Sequence, residues 1–311
     1  MAYRRAAAKP ACVLVTGGSG QLGTALQRCW PSDWHLTAPG RGAFDLTDTD
    51  GIANRIAAGH DGNRYTAVIN CAAYTAVDKA EVDRDAAWIV NAEAPATLAE
   101  ACASQDIPIL HISTDYVFSG KKAGAWRVDD PIGPLNVYGA SKLAGEDAIR
   151  ASGARHAIVR TSWLFSQHGR NFVTAMLERA RRSGAVAVVA DQYSSPTSAA
   201  DLAQALVHMT HTLVDDADAP TGTFHFSNRG RTNWADFAET LFHQSAQRGG
   251  PSATVHRIST QDYAAAARRP ENSELDCSAI EDRFGIIPRL WQEALAQMLD
   301  VLLEAPATSG L

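Results

Sequence analysis

No stretch of the chain approaches the roughly 18 consecutive apolar residues that a membrane-spanning helix needs, so no span is expected. Cysteine is sparse. The five are Cys12, Cys29, Cys71, Cys102 and Cys277, an odd number with no C-x-x-C pair. That argues against a disulfide framework and a zinc site, and no other metal-ligand spacing is present. Cys12, Cys71 and Cys102 sit in apolar runs and read as small buried hydrophobes in a reducing compartment. Basic residues cluster no further than pairs such as Arg181-Arg182 and Arg268-Arg269, and the net charge is -6. Nucleic acid is therefore not an expected partner. The basic, Ala-rich Met1 to Pro10 is followed by no separate apolar region with a cleavage site. Met1 to Lys9 reads as a frayed leader rather than a signal peptide, and a cytoplasmic protein is expected. There is no internal repeat. The one low-complexity piece, Ala264 to Ala267, reads as a helix end or a loop.

What is present is ordinary globular composition, 46% hydrophobic and 20% charged over 311 residues. That suffices for a large core and about two domains. In the first half, short apolar runs alternate with longer helical patterns. The runs are Cys12 to Val15, Ala67 to Asn70, Ile107 to Ile112 and His156 to Arg160. A further strand is expected over Trp34 to Ala38. Helices are expected over Gln21 to Trp30 and Tyr138 to Ala151, with one long helix or two over Lys79 to Ser104. Such alternation predicts a doubly wound parallel sheet covered on both faces. The second half is less regular. Helices are expected over Phe172 to Arg182, Ala199 to His211, Trp234 to Gln244 and Leu290 to Leu303, and strands over Val186 to Val189 and Thr223 to Ser227.

The first run enters Thr16-Gly17-Gly18-Ser19-Gly20-Gln21-Leu22-Gly23, with glycines spaced G-x-x-G-x-x-G. Gly17 permits a tight turn off the strand, Gly20 a close approach of backbone to a pyrophosphate, and Gly23 tight packing of helix on sheet. The helix that follows offers free N–H groups to phosphate. The position after the first strand makes this a dinucleotide signal. The acid expected at the end of the second strand, to grip a ribose hydroxyl, is missing. Pro39-Gly40-Arg41-Gly42 stands there instead. Arg41 suits the 2′-phosphate of NADP, which favours NADPH and leaves NADH open.

The third run leads into Ser113-Thr114-Asp115-Tyr116-Val117-Phe118, at the sheet edge where α/β proteins bind ligands. Further on comes Tyr138-Gly139-Ala140-Ser141-Lys142. Tyrosine and lysine at i and i+4 share a helix face. Reducing a ketone needs hydride at carbon and a proton at oxygen. A phenol can give that proton, but its ordinary pKa is about 10. A neighbouring ammonium is expected to lower it. Lys142 can also reach the nicotinamide ribose, and the Thr114 hydroxyl can stabilise charge growing on the carbonyl oxygen. A Tyr-x-x-x-Lys alone is common; its order after a glycine loop and a strand-end hydroxyl makes it specific.

These elements resemble the extended short-chain dehydrogenase/reductase family, and within it the branch acting on dTDP-4-keto-6-deoxysugars. The likeness continues through Asn70 to Glu81, Pro134 to Glu146, Arg160-Thr161-Ser162-Trp163, Asp191-Gln192, Pro196-Thr197 and Ala267-Arg268-Arg269-Pro270, nearly the whole chain after the leader. It implies an α/β, Rossmann-like fold with a smaller C-terminal α/β substrate lobe. Residues 11–165 are expected to form the dinucleotide-binding domain, with later segments returning to it, and 166–311 mainly the sugar-nucleotide lobe. It implies NAD(P)H-dependent reduction of the C4 ketone of dTDP-4-dehydro-L-rhamnose. A related dTDP-4-keto-6-deoxyhexose reductase and a non-catalytic NADP-binding regulatory subunit remain open.

By the resemblance, Gly20, Gln21 and Leu22 contact the pyrophosphate. Asp45 and Leu46 flank the adenine, and Ala73, Tyr74 and Thr75 line the cofactor cleft. Tyr138 is the proton donor, helped by Lys142 and Thr114. Thr114, Asp115 and Trp163 meet the sugar nucleotide, with the Trp163 indole a flat wall for it. Asn171 and Arg269 are further candidates for the nucleotide end. The partner is a dTDP-sugar, and the chain is expected as a monomer or homodimer. Mg2+ enters by resemblance alone, since some relatives form metal-bridged dimers, and no metal residues are carried over.

Overall fold

The computed structural model describes residues 11–304, so the expected leader, Met1 to Lys9, lies outside the described residues. Five strands follow the sequence closely: β1 Cys12–Thr16, β2 His35–Thr37, β3 Ala67–Asn70, β4 Ile109–Thr114 and β5 His156–Thr161. With Gly222–His225 they form one parallel sheet, in the order Gly222–His225, β5, β4, β3, β1, β2. The chain leaves β1 to one side for β2, then returns past it to β3. That reversal opens a crevice beyond the carboxyl ends of β1 and β3.

The apolar runs are continuous because both faces of the sheet are buried. Val13, Val15, Ile69, Leu110 and Val159 face a core shared with Gln21–Cys29, Ala199–Asp215 and Ser278–Phe284. Cys12, Leu14, Val68, Ile109 and Ile158 face the opposite core, shared with Thr49–Ala58, Ala94–Gln105 and Ile149. Each such Leu or Ile, fully buried, contributes about 1.5–3 kcal/mol. A third core joins the helices Phe172–Arg182, Trp234–Gln247 and Trp291–Glu304 to a parallel pair, Ala185–Val189 with Thr254–Ile258.

Several elements were not expected from the sequence, besides two-residue strands such as Leu164–Phe165 and the short helix Thr260–Tyr263. Thr49–Ala58 has a proper cap, Asp48 accepting from the Gly51 backbone N–H, but Gly51 and the acidic lead-in mask its period. Thr254–Ile258 alternates weakly, and Ser278–Phe284 is short. The stretch expected as one or two helices over Lys79 to Ser104 is broken further. It runs as Val77–Ala80, Arg84–Trp88, a π-helical turn Ile89–Glu93, and Ala94–Gln105. At the π-helical turn Asn91 directs its side chain inward, to the Tyr74 backbone and to Ser141. Among the described residues, no helix is long and apolar enough to cross a membrane.

Candidate active site

A single cleft of about 850 Å³ runs along the carboxyl edge of the sheet. Gly17, Gly20, Gln21, Leu22 and Gly23 form one end of its wall. Arg41, Asp45, Leu46, Ala73, Tyr74 and Thr75 line the cleft as well. Gly17 has φ +71°, and a Cβ there would sit 2.9 Å from the Ala72 backbone. A Cβ on Gly23 would come within 2.3 Å of the Gly17 carbonyl oxygen. Both glycines are thus required by the turn itself. The helix Gln21–Cys29 opens without a side-chain cap and without an acid in its first turn. Its N–H groups and positive end fit the pyrophosphate of a dinucleotide. Asp45 accepts from the Thr47 backbone N–H at 2.9 Å, and Arg41 lies 3.8 Å from it with a side chain 78% exposed.

Thr114, Asp115, Tyr138, Lys142, Trp163 and Asn171 line the same cleft. The helix Val137–Ala151, capped by Asn136 through the Gly139 N–H, presents Tyr138 and Lys142 towards the end of β4. Thr114 donates to Asp115 Oδ1 at 3.0 Å and accepts from the Tyr116 N–H. Burial pushes the Asp115 carboxyl up to about 7, against the pull of Ser273 and Thr114.

The expected lowering of the Tyr138 phenol by Lys142 is not what the structure has. Burial pushes the phenol up to about 12; the Thr114 hydroxyl favours the phenolate and Asp115 disfavours it. Lys142 Nζ instead donates to the Ile112 carbonyl at 2.6 Å and lies 3.1 Å from His111 Nε2. Burial brings the Lys142 amine down to about 8, with Glu146 and Cys71 opposing. Spacing put tyrosine and lysine on one face, but burial is the largest influence on each of them.

One further expectation changes. Arg269 does not line the cleft: its guanidinium grips Asp78 at 2.6 and 3.1 Å, docking the Ala267–Pro270 segment on the short helix Val77–Ala80. Asn171 does line it, but its amide caps the helix Phe172–Arg182 and donates to the Ser166 carbonyl. Trp163 takes φ +45°, costly for so bulky a side chain. Its indole stacks on Trp234 at 3.6 Å between centroids. Trp234 also lines the cleft and was missed, because nothing local pairs tryptophans so far apart in sequence. Among the described residues no group of three or more His, Cys, Asp or Glu is placed to hold a metal ion.

A glycine-bound dinucleotide cleft that also gathers a strand-end threonine and a Tyr-x-x-x-Lys helix marks the extended short-chain dehydrogenases/reductases, NAD(P)-dependent oxidoreductases. The comparisons are narrower. The family described as RmlD substrate binding domain matches residues 11–304, and the chain belongs to that family. A relative from Sinorhizobium fredii (strain NBRC 101917 / NGR234), named dTDP-4-dehydrorhamnose reductase, is 40% identical over 293 residues, 93% of this chain and 97% of its own. A crystal structure of a dTDP-4-dehydrorhamnose reductase from Clostridium acetobutylicum ATCC 824 superposes with a TM-score of 0.86 at 33% identity, covering 94% of this chain and 99% of that one. One from Bacillus anthracis str. Ames, in complex with NADP, gives 0.84 at 33% identity, covering 93% and 98%.

Proposed function

We propose that this protein reduces the C4 ketone of dTDP-4-dehydro-L-rhamnose to give dTDP-L-rhamnose, the last step of dTDP-rhamnose synthesis, with NADPH as reductant. The observation that carries the reading is one continuous cleft. Its lining brings together the glycine loop, the Trp163 and Trp234 indoles, and Thr114, Tyr138 and Lys142. The names of the relatives and the NADP held by the Bacillus anthracis structure support it.

Bound NADPH supplies the hydride. Gly20, Gln21 and Leu22 hold the pyrophosphate at the helix N-terminus. Arg41, with its guanidinium exposed, would meet the 2′-phosphate. Tyr138 gives its proton to the ketone oxygen. Thr114 binds that oxygen as charge grows on it, by turning its one hydroxyl hydrogen from Asp115 to the substrate. Trp163, braced by Trp234, holds the flat face of the sugar, and Asp115 hydrogen-bonds its polar edge. Lys142 orients the nicotinamide ribose. The reaction belongs in the cytoplasm with other sugar-nucleotide chemistry.

The test mixes the protein with dTDP-4-dehydro-L-rhamnose and NADPH and follows the absorbance of the reduced nicotinamide. Oxidation that depends on the sugar is expected; none would overturn the proposal. Repeating it with NADH should give a lower kcat/KM, and the Arg41→Ala variant should narrow that gap.

A further inference from the structure

Beneath the cleft lies a line of buried polar side chains that the reduction scheme does not use. Thr16, Asn70 and His111 are register partners on β1, β3 and β4, and all three are fully buried. Their distances fix which atom donates to which. Thr16 Oγ1 accepts the Ala72 N–H and lies 2.6 Å from Asn70 Oδ1. That length suits O–H···O, whose typical value is about 2.7–2.8 Å, better than N–H···O at about 2.9–3.0 Å. Thr16 therefore donates to the Asn70 carbonyl oxygen. The amide nitrogen of Asn70 then faces His111 Nδ1 at 3.0 Å, and an amide nitrogen only donates.

His111 Nδ1 must therefore offer a lone pair. Burial, with the charges of Lys142 and Arg150, holds His111 well below the ordinary imidazole value, so the ring is neutral and carries its one proton on Nε2. That N–H points at Lys142 Nζ, 3.1 Å away. An ammonium has no lone pair to receive it, whereas an uncharged amine has one. The Ile112 carbonyl, 2.6 Å from Nζ, pulls the other way, because it is best served by an ammonium hydrogen. Glu146, a turn further along the same helix, and Cys71, after β3, also favour the charged form, while burial opposes it. Tyr138, a turn earlier, is held as a neutral phenol.

We propose that the Thr16–Asn70–His111 ladder is a positioning device that presents a hydrogen-bond donor to Lys142, holds this lysine partly as an uncharged amine before cofactor binds, and makes NADPH binding take up a proton there. The proposal rests on reading the cleft as an NADPH site. The phosphates bring negative charge, and the ribose hydroxyls bring acceptors, both of which favour the ammonium. The fully charged lysine thus belongs to the cofactor complex, where it acts beside Tyr138, whereas at pH 8 the free enzyme holds it only in part as the ammonium.

The experiment is calorimetric titration of the full chain with NADPH, without sugar, in buffers of different ionisation enthalpy. At pH 8 binding should take up as much as about half a proton per cofactor, the fraction of Lys142 left uncharged in the free enzyme. Lys142→Met should abolish this uptake, which assigns the proton. Asn70→Leu lets the His111 ring turn a lone pair to the ammonium, so uptake should fall sharply while NADPH still binds; undiminished uptake in this variant would overturn the role of the ladder. Binding of NADPH to the unaltered protein at pH 8 with no proton uptake would overturn the proposal, as would uptake that survives Lys142→Met. If NADPH does not bind at all, it is the cofactor reading of the cleft that fails.

Discussion

Asp115 and Tyr138 show how strongly burial governs this site. The Asp115 carboxyl is held up at about 7, so the native state binds its proton more tightly than the unfolded chain does. The stability it contributes is therefore present below about pH 4 and is lost as pH rises through about 7. Asp115→Asn should be more stable than the unaltered protein at pH 8, by a few kcal/mol at most, with the difference vanishing near pH 4. Denaturant titrations at the two pH values measure this, and an equal gap at both would contradict it. Tyr138→Phe removes the proton donor and leaves the glycine loop untouched. It should lower kcat by on the order of a hundredfold or more while NADPH affinity stays within about twofold, as steady-state rates and cofactor titration will show. The identity and spacing of Tyr138 and Lys142 were legible in the sequence. Their protonation was not, because it depends on burial and on His111 and Ile112, which meet Lys142 only in the folded chain.

The helix Val137–Ala151 crosses the π-helical turn Ile89–Glu93 at very short range. A Cβ on Gly145 would come within 2.1 Å of the Asn91 carbonyl oxygen. Helix propensity alone says that Gly145→Ala should stabilise by about 1 kcal/mol. Packing says the reverse, with a net cost of about 1–3 kcal/mol, and the denaturation midpoint decides between them. The strain should also reach the cleft. Asn91 accepts from the Tyr74 N–H at 2.8 Å and donates to the Tyr74 carbonyl and to Ser141, so the loop Ala73 to Thr75 hangs on the same turn. A raised KM for NADPH is expected alongside the lower midpoint. π-Helical turns commonly occur at functional sites. This one was not legible, since Ala- and Glu-rich sequence looks equally helical with or without it.

At the scale of the whole molecule, the sheet and its cover are not contiguous in sequence. The strand Gly222–His225 completes the edge beside β5, and the helix Ala199–Asp215 buries Leu202, Leu206 and Met209 on the face that carries Val13 and Val15. We propose that the dinucleotide-binding unit is therefore residues 11–165 together with these returning segments. A fragment ending at residue 165 should aggregate or stay largely unfolded, with an uncovered apolar face and an open β5 edge. Circular dichroism and sedimentation of that fragment beside the full chain check the point; a folded, monomeric fragment would refute it.

The sequence by itself determined the parallel sheet, the glycine turn and the identity of the Thr114, Tyr138 and Lys142 trio. Each of these is local: an apolar run buried on both faces, a turn that Gly17 must make at positive φ, a helical spacing of four. The tertiary structure decided the rest. It turned Arg269 away to Asp78, stacked Trp163 on Trp234, and set the buried ladder against Lys142. These depend on which distant segments come to lie side by side, and on the loss of water where they meet. A hydrogen-bond partner or a desolvation cost exists only once the chain has closed around it.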